Sequence, residues 1–200
     1  MSDHYFADSP STPSEPTDVV LTLPGVQFTL RTDRGVFARD EVDVGTRLLL
    51  TDAPTPARAP TLILDLGCGY GPIACALAHR YPEAAVWAID TNERARQLCR
   101  DNAAGNGLGN VNVAAPAEMD PSLTFDLIWS NPPIRIGKAA LHDLLRQWLS
   151  RLAPGGEAVL VVQKHLGSDS LQRWLTEQGW PTERVASRRS FRLLRIEPAP

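Results

Sequence analysis

The sequence predicts an α/β domain built on a mostly parallel seven-stranded sheet, with helices on both faces, an antiparallel hairpin at its C-terminal end and a small β-hairpin extension at the N-terminus. Three observations carry this expectation. From residue 61 onward, apolar strand-like runs alternate with helical stretches, the pattern of parallel strands joined by crossovers. The first run, TLILDL, passes into a glycine-rich turn, GCGYGP, and then a helix. The last two runs, around 182–187 and 190–196, lie too close together for a helical crossover and so pair antiparallel.

Each element has its own signal. Residues 1–18 read as a flexible tail, because Pro, Ser, Asp and Glu crowd positions 7–17 and leave little apolar surface to pack. VVLTLPGVQFTLRT (19–32) alternates apolar and polar residues around Pro24-Gly25, a β-hairpin. Residues 35–54 hold a loop and a short helix ending before Pro54, and APTPARAP (53–60) links into the main fold. TLILDL (61–66) is a strand, PIACALAHR (72–80) a helix and AVWAID (85–90) a strand. NERARQLCRDNAAGNG (92–107) is a helix that stops at Gly105 or Gly107. VNVAA (111–115) and FDLIWS (125–130) are strands. An amphipathic helix spans Lys138 to Leu152, with Ala153-Pro154-Gly155-Gly156 as its stop. EAVLVVQ (157–163) is a strand and SLQRWLTEQG (170–179) the last helix before the closing hairpin.

Two hundred residues suit one domain with a substantial core. A 43% hydrophobic and 22% charged composition is that of a soluble globular protein, and no apolar run approaches the ~20 residues of a membrane span. The N-terminus has neither the basic start nor the apolar stretch of a secretory signal, so a cytoplasmic location is expected. Cys68, Cys75 and Cys99 show no CxxC pairing and no clustered histidines, which disfavours a disulfide framework or metal site and suits buried thiols in a reducing compartment. The net charge of −3 excludes a chain that is basic throughout but leaves a local nucleic-acid patch open. Charge is polarised along the chain. RVASRRSFRLLR (184–195) holds five arginines and no acid, whereas the first 60 residues are acidic on balance.

In DLGCGYGP, Gly67, Gly69 and Gly71 let the backbone turn off the strand and approach a ligand without Cβ interference, and Pro72 suits the first helical turn. Such a crevice at a strand's carboxyl end is where open α/β sheets bind ligands. Asp90, at the tip of the next strand, can accept hydrogen bonds from both hydroxyls of a ribose. A dinucleotide loop is spaced GxGxxG to seat a pyrophosphate on the helix N-terminus. Here the spacing is GxGxG, and Asp65 stands before it, where it would repel a pyrophosphate but can engage the amino-acid end of S-adenosylmethionine. Taken alone, the loop also fits an ordinary tight strand–helix turn.

Asn131 follows an apolar strand and precedes proline, so its backbone is held extended. Pro132 and Pro133 carry no N–H, leaving a corner rich in acceptors: the Asn131 side-chain oxygen and the Pro132 carbonyl. Two fixed acceptors can hold both hydrogens of an aromatic amine and leave its lone pair facing an electrophile, a reaction in which orientation carries much of the rate. The plain alternative is an Asn-Pro turn at a strand end.

Together the Asp65–Pro72 loop, Asp90 and SNPPI (130–134) resemble class I S-adenosylmethionine-dependent methyltransferases, Rossmann-like in fold, of the amino-methylating (N/D)PP(F/Y/W) group. Gly35-Val36-Phe37 with Asp43-Val44-Gly45-Thr46-Arg47-Leu48-Leu49-Leu50 is similar to the segment preceding that fold in the methyltransferase small domain family, whose members include bacterial enzymes that methylate N2 of guanine in small-subunit (16S) ribosomal RNA. SNPPIRIGKAALH (130–142) is also similar to compact, single-domain relatives of those enzymes, and the resemblance covers roughly residues 20–197. It implies a lid segment within 19–60 and a methyltransferase core over 61–200, in one domain overall. It implies that Phe37, Asp43, Gly45 and Thr46 help close the cofactor pocket, and that Asp65, Gly67, Cys68, Gly69, Asp90, Thr91, Ala117, Glu118 and Asn131 bind S-adenosylmethionine, with no metal. Asn131, Pro132, Pro133 and Ile134 would form the catalytic corner, with Phe37, Arg135 and Lys138 contacting substrate. Two positions depart from the pattern. Ile134 replaces the usual aromatic, which disfavours adenine N6 and glutamine targets, and Glu118 stands near where an Asp often meets the adenine amino group.

The resemblance therefore implies an N-methyltransferase acting on guanine in ribosomal RNA during rRNA processing, as a monomer or homodimer with an RNA partner. Methylation of a protein amide or small amine, or a catalytically idle cofactor-binding RNA module, remain as alternatives; the glycine spacing disfavours a dehydrogenase. His142 reads as a surface histidine, Trp129 as core, and Trp148 and Trp174 as helix packing. The 184–195 arginines read either as an RNA-facing stripe or as a solvated edge.

Overall fold

The computed structural model describes residues 12–200. Its main sheet has seven strands: β3 (Leu62–Leu66), β4 (Ala85–Ile89), β5 (Val111–Ala114), β6 (Phe125–Ser130), β7 (Leu152–Gln163), β8 (Thr182–Arg188) and β9 (Phe191–Ile196), in the spatial order β5-β4-β3-β6-β7-β9-β8. Strands β3 to β7 are parallel; β9 runs antiparallel between β7 and β8. The order reverses between β3 and β6, so their carboxyl ends flank a topological switch point. The mostly parallel sheet with a closing antiparallel hairpin is as expected.

Helices cover both faces, as a parallel sheet of apolar strands requires. On one side α1 (Val44–Asp52), α2 (Pro72–Arg80) and α3 (Glu93–Gly105) contribute Leu48, Leu49, Ile73, Leu77, Leu98 and Cys99 to a buried cluster with Ile63, Leu127 and Val159. On the other, α4 (Lys138–Leu149) and α5 (Ser168–Glu177) pack Leu141, Leu145, Trp148, Leu171 and Leu175 against Leu64, Ile128 and Leu160. Adjacent strand residues thus face opposite clusters, the period of two that defines a strand. A separate hairpin, β1 (Thr17–Leu23) and β2 (Val26–Thr32), turns at Gly25 in the left-handed region (φ 80°) and buries Val19, Leu21, Phe28 and Leu30 in the first cluster.

Several boundaries differ from expectation. Residues 1–11 of the expected flexible tail lie outside the described residues. From Thr12 the chain is fastened: buried Asp33 accepts Ser14 Oγ at 2.6 Å and the Glu15 amide, Arg94 Nη2 donates to Thr12 O at 2.9 Å, and β1 opens at Thr17. Helix α4 ends at Leu149 rather than Leu152. Leu152 instead pairs with Phe125, and residues 153–156 form a bulge inside β7 before pairing resumes at Leu127 and Glu157. A Cβ on Gly156 would stand 2.9 Å from Phe125 O, so only glycine lets the chain pass this close to β6.

Candidate active site

The glycine turn is drawn toward β4, because the amides of Gly67 and Cys68 both donate to Ile89 O at 2.9 Å. Gly67 (φ 77°) and Gly69 (φ 55°) face open space: a Cβ at either would meet no protein atom within 4 Å. Gly71 (φ 94°) differs, since its Cβ would lie 2.7 Å from Cys99 Sγ on α3. Two of the glycines thus front the crevice and the third serves helix packing. The Cys68 thiol is turned inward; a hydrogen bond with Cys99 and burial push its pKa up, so only its backbone is available to a ligand.

Asp65 is fully buried beneath the turn. Its Oδ2 accepts the Ala74 amide of α2 at 2.9 Å, whereas Oδ1 has no partner. Burial, opposed by that hydrogen bond and reinforced by the charge of Asp90, raises its pKa to about 8. Asp90 closes the other wall, with Oδ2 on the Gly69 amide and Oδ1 on the Asn92 amide, both at 2.9 Å. Burial raises its pKa as well. Arg96 Nη1 donates to the carbonyls of Asp90 and Thr91 and fixes this strand tip; the Thr91 side is exposed. Ala117 and Glu118 lie exposed on a single turn after β5, where Glu118 Oε2 accepts the Ala115 amide at 2.7 Å, committing one of its oxygens to its own turn.

Across the switch point, Ser130 Oγ donates to Leu66 O at 2.6 Å and ties the ends of β6 and β3 together. Asn131 follows. Its Nδ2 donates to Asp43 Oδ2 at 2.9 Å and to Thr46 Oγ1 at 3.0 Å, which occupies both amide hydrogens. Oδ1 is thereby turned away from α1 as an uncommitted acceptor. The Pro132 carbonyl is less open than the sequence suggested: it accepts the Ile134 amide at 2.8 Å around Pro133 (φ −74°, ψ 72°), an inverse γ-turn that leaves it one lone pair. Ile134 is half-buried against the cluster of α4. Arg135 and Lys138 are exposed beside it.

Residues 33–43 strap the two walls together. At the Asp90 side, Asn92 Nδ2 donates to Gly35 O at 2.9 Å and Arg94 Nη1 to Arg34 O at 2.7 Å. At the Asn131 side, Asp43 caps α1 by accepting the Thr46 amide at 3.0 Å. Phe37 lies midway and is 48% exposed. Gly45 is buried where its Cβ would stand 2.8 Å from the Phe191 ring, so β9 seats α1, and Arg188 reaches Asp52 at its far end (2.9 Å).

The sequence pattern of the methyltransferase small domain family matches residues 27–195. The chain belongs to this family. The uncharacterized protein YbxB of Bacillus subtilis is 38% identical over 180 residues, covering 88% of this chain and 89% of that one. The ribosomal RNA small subunit methyltransferase C of Salmonella choleraesuis is 34% identical over 143 residues, 70% of this chain but only 41% of its own length. Among solved structures, the Thermus thermophilus 16S rRNA N2 G1207 methyltransferase, in complex with AdoMet and guanosine, superposes with a TM-score of 0.71 at 25% identity, over 92% of this chain and 51% of that one. The chain thus spans about half the length or less of the two ribosomal RNA methyltransferases it matches.

For a small-domain methyltransferase the cofactor is S-adenosylmethionine, and the residues present fit it. An orphaned carboxylate oxygen lies under the turn, two glycines leave room above it, and a second carboxylate stands at the neighbouring strand tip. Sequence reasoning missed Ser130, Asn92 and the pairing of Asn131 with Asp43 and Thr46. A serine closing an apolar strand before the corner was the one local signal. His142 is not a surface histidine: it is 9% exposed and stacks on Trp174 with ring centroids 3.6 Å apart, and burial lowers its pKa. Trp129 and Trp148 are core residues as expected. Among the described residues no group of His, Cys, Asp and Glu is arranged to hold a metal, and no helix is long and apolar enough to cross a membrane.

Proposed function

We propose that this chain methylates the exocyclic N2 amine of a guanine in ribosomal RNA, in the cytoplasm. The observation that carries the reading is the orientation of Asn131. With both amide hydrogens held by Asp43 and Thr46, its Oδ1 is turned away from α1 and serves in this reading as a fixed acceptor for an amine N–H. The remaining lone pair of the Pro132 carbonyl receives the second N–H. Holding both hydrogens out of the way presents the nitrogen lone pair to the glycine-turn side, and the fixed geometry contributes through orientation rather than through a base. S-adenosylmethionine, when bound, supplies a methyl group on a positively charged sulfur, which would leave as neutral S-adenosylhomocysteine while the methylated amine gives up one proton to water. Asp65, the backbones of Gly67, Cys68 and Gly69, Asp90, Thr91, Ala117 and Glu118 hold it in this reading, with the strap of Phe37, Asp43, Gly45 and Thr46 excluding water.

The choice of guanine N2 draws on Ile134, which offers no ring to stack on an adenine, and on kinship with ribosomal RNA methyltransferases. Phe37 supplies the exposed ring for base stacking instead, and Arg135 and Lys138 meet the adjoining phosphates. The test is methyl-labelled S-adenosylmethionine incubated with ribosomal subunits stripped of this modification, followed by separation of RNA from protein. Label in the RNA fraction is expected. Label in the protein fraction or in small amines alone would replace this reading with the protein-amide or small-molecule alternative.

A further inference from the structure

We propose that the end of β7 and the turn between β8 and β9 form a docking strip for the RNA sugar–phosphate backbone, with Lys164 and Arg189 extending the contact begun by Arg135 and Lys138. The proposal rests on the RNA reading above; it narrows the 184–195 arginines to Arg189 at the turn and adds Lys164. Strands β6 and β7 are parallel neighbours, with Ser130 opposite Leu160, so the segments leaving them emerge side by side. Gln163 of β7 pairs with Phe191 of β9, and the Lys164 amide donates to Ser190 O at 2.6 Å. The single turn 164–166 is thereby stitched to the hairpin tip. At about 4.8 Å between strands, β9 stands about 10 Å from β6, close to one Debye length at physiological salt. Along the strand, β7 runs three residues, about 10 Å, beyond Leu160 before Lys164, so the four cations border one edge of the sheet along which a backbone of several nucleotides can run.

What distinguishes the tip is which charges are left over. Of the terminal arginines, Arg184 pairs with Asp169 (2.7 Å), Arg188 with Asp52 (2.9 Å) and Arg195 with Glu183 (3.0 Å). Among the described residues Lys164, Arg189, Arg135 and Lys138 are exposed, make no ion pair and follow the ends of β6, β7 and β8, whereas the equally exposed and unpaired Arg58, Arg80, Arg100 and Arg173 lie on other segments. Arg192 on β9 makes no ion pair, but it is half-buried and donates to Ser187 Oγ and Phe191 O, so the exposed unpaired charge of the hairpin is at its tip. Arg189 (φ 44°) and Ser190 (φ 68°) both hold left-handed conformations, where a two-residue hairpin turn favours Asn-Gly. A bulky cation kept in that disfavoured conformation points to a use outside folding. The opposite rim is acidic, with Asp40 and Glu41 exposed on the strap, and would repel phosphate. Backbone leaving the corner is therefore steered over β7 and β9.

The test is fluorescence anisotropy of a labelled single-stranded oligoribonucleotide across a salt series, comparing the intact chain with Lys164→Gln/Arg189→Gln. The control Arg58→Gln/Arg100→Gln removes the same charge from exposed positions outside the strip. Loss of two phosphate contacts is expected to flatten the slope of log affinity against log salt by about 1.4 and to weaken binding about 20-fold at 0.1 M salt. The control is expected to change affinity by less than about threefold, and binding of S-adenosylhomocysteine is expected to be unchanged in the strip variant. An unaltered slope in the strip variant, or an equal loss in the control, would overturn the proposal. Binding does not depend on methyl transfer. The expected slopes without methylation of any RNA would keep the strip and remove the proposed function, and methylation with unaltered slopes would do the reverse.

Discussion

Asn131 Nδ2 lies 2.9 Å from Asp43 Oδ2, the same carboxylate oxygen that accepts the Thr46 amide at 3.0 Å. One oxygen thus caps α1 and fixes the amide of the Asn-Pro-Pro corner, so the 33–43 strap and the corner are mechanically one unit. Asp43→Ala is expected to lower kcat about 100-fold, the scale of a misplaced reacting group, and to cost about 1 kcal/mol of stability through the lost cap. Asp43→Asn keeps an oxygen in that place and should restore most of the turnover. Steady-state kinetics beside thermal melts check this. Equal kinetic losses in both variants would point to the charge of Asp43 rather than its position.

The glycines separate by what their Cβ would meet. Gly71→Ala drives a methyl against Cys99 Sγ in a left-handed backbone and is expected to destabilise the fold by about 2–4 kcal/mol. Gly67→Ala meets no protein atom, so it should cost only the ~1–2 kcal/mol of its backbone strain while weakening S-adenosylhomocysteine binding at least tenfold. Melting curves and calorimetric titration of the two variants distinguish these outcomes.

Cofactor affinity should depend on pH through Asp65. Its pKa of about 8 in the folded chain leaves it protonated at neutral pH. An ammonium group brought to Oδ1 favours the ionised form, so binding expels a proton. Affinity then rises by up to tenfold per unit as pH climbs toward 8 and levels off above it. For folding the sign is opposite. A carboxyl raised above its ordinary 3.8 contributes stability that is full below that value and lost as pH rises through about 8. Titrations in buffers of different ionisation heat measure the proton, and Asp65→Asn should abolish both the release and the pH dependence.

His142→Ala should leave turnover per folded molecule unchanged while costing about 1–2 kcal/mol, because the ring packs on Trp174 and faces no reacting group. A loss of kcat without a loss of stability would contradict that placement.

Much of the candidate site's geometry was legible because its signals are local. The glycine turn, Asp90 and the Asn-Pro-Pro corner each sit at a strand end, and alternation from residue 61 sets those ends side by side. What escaped depends on distant contacts. Asp43 and Asn131 are 88 residues apart, and nothing in either neighbourhood names the other. His142 sits between two α4 positions that face the core, yet its burial comes from Trp174 of α5. The start of β7 was hidden because Ala153-Pro154-Gly155-Gly156 reads as a helix stop, whereas a bulge lets those residues interrupt a strand that had already begun.

The most direct measurement is mass spectrometry of nucleosides digested from ribosomal RNA after incubation with methyl-labelled S-adenosylmethionine, using RNA or subunits from a strain lacking this protein, with Asn131→Ala in parallel. Label in N2-methylguanosine that disappears in the variant is the expected result. No label in any nucleoside from a protein that demonstrably binds the cofactor would contradict the central claim.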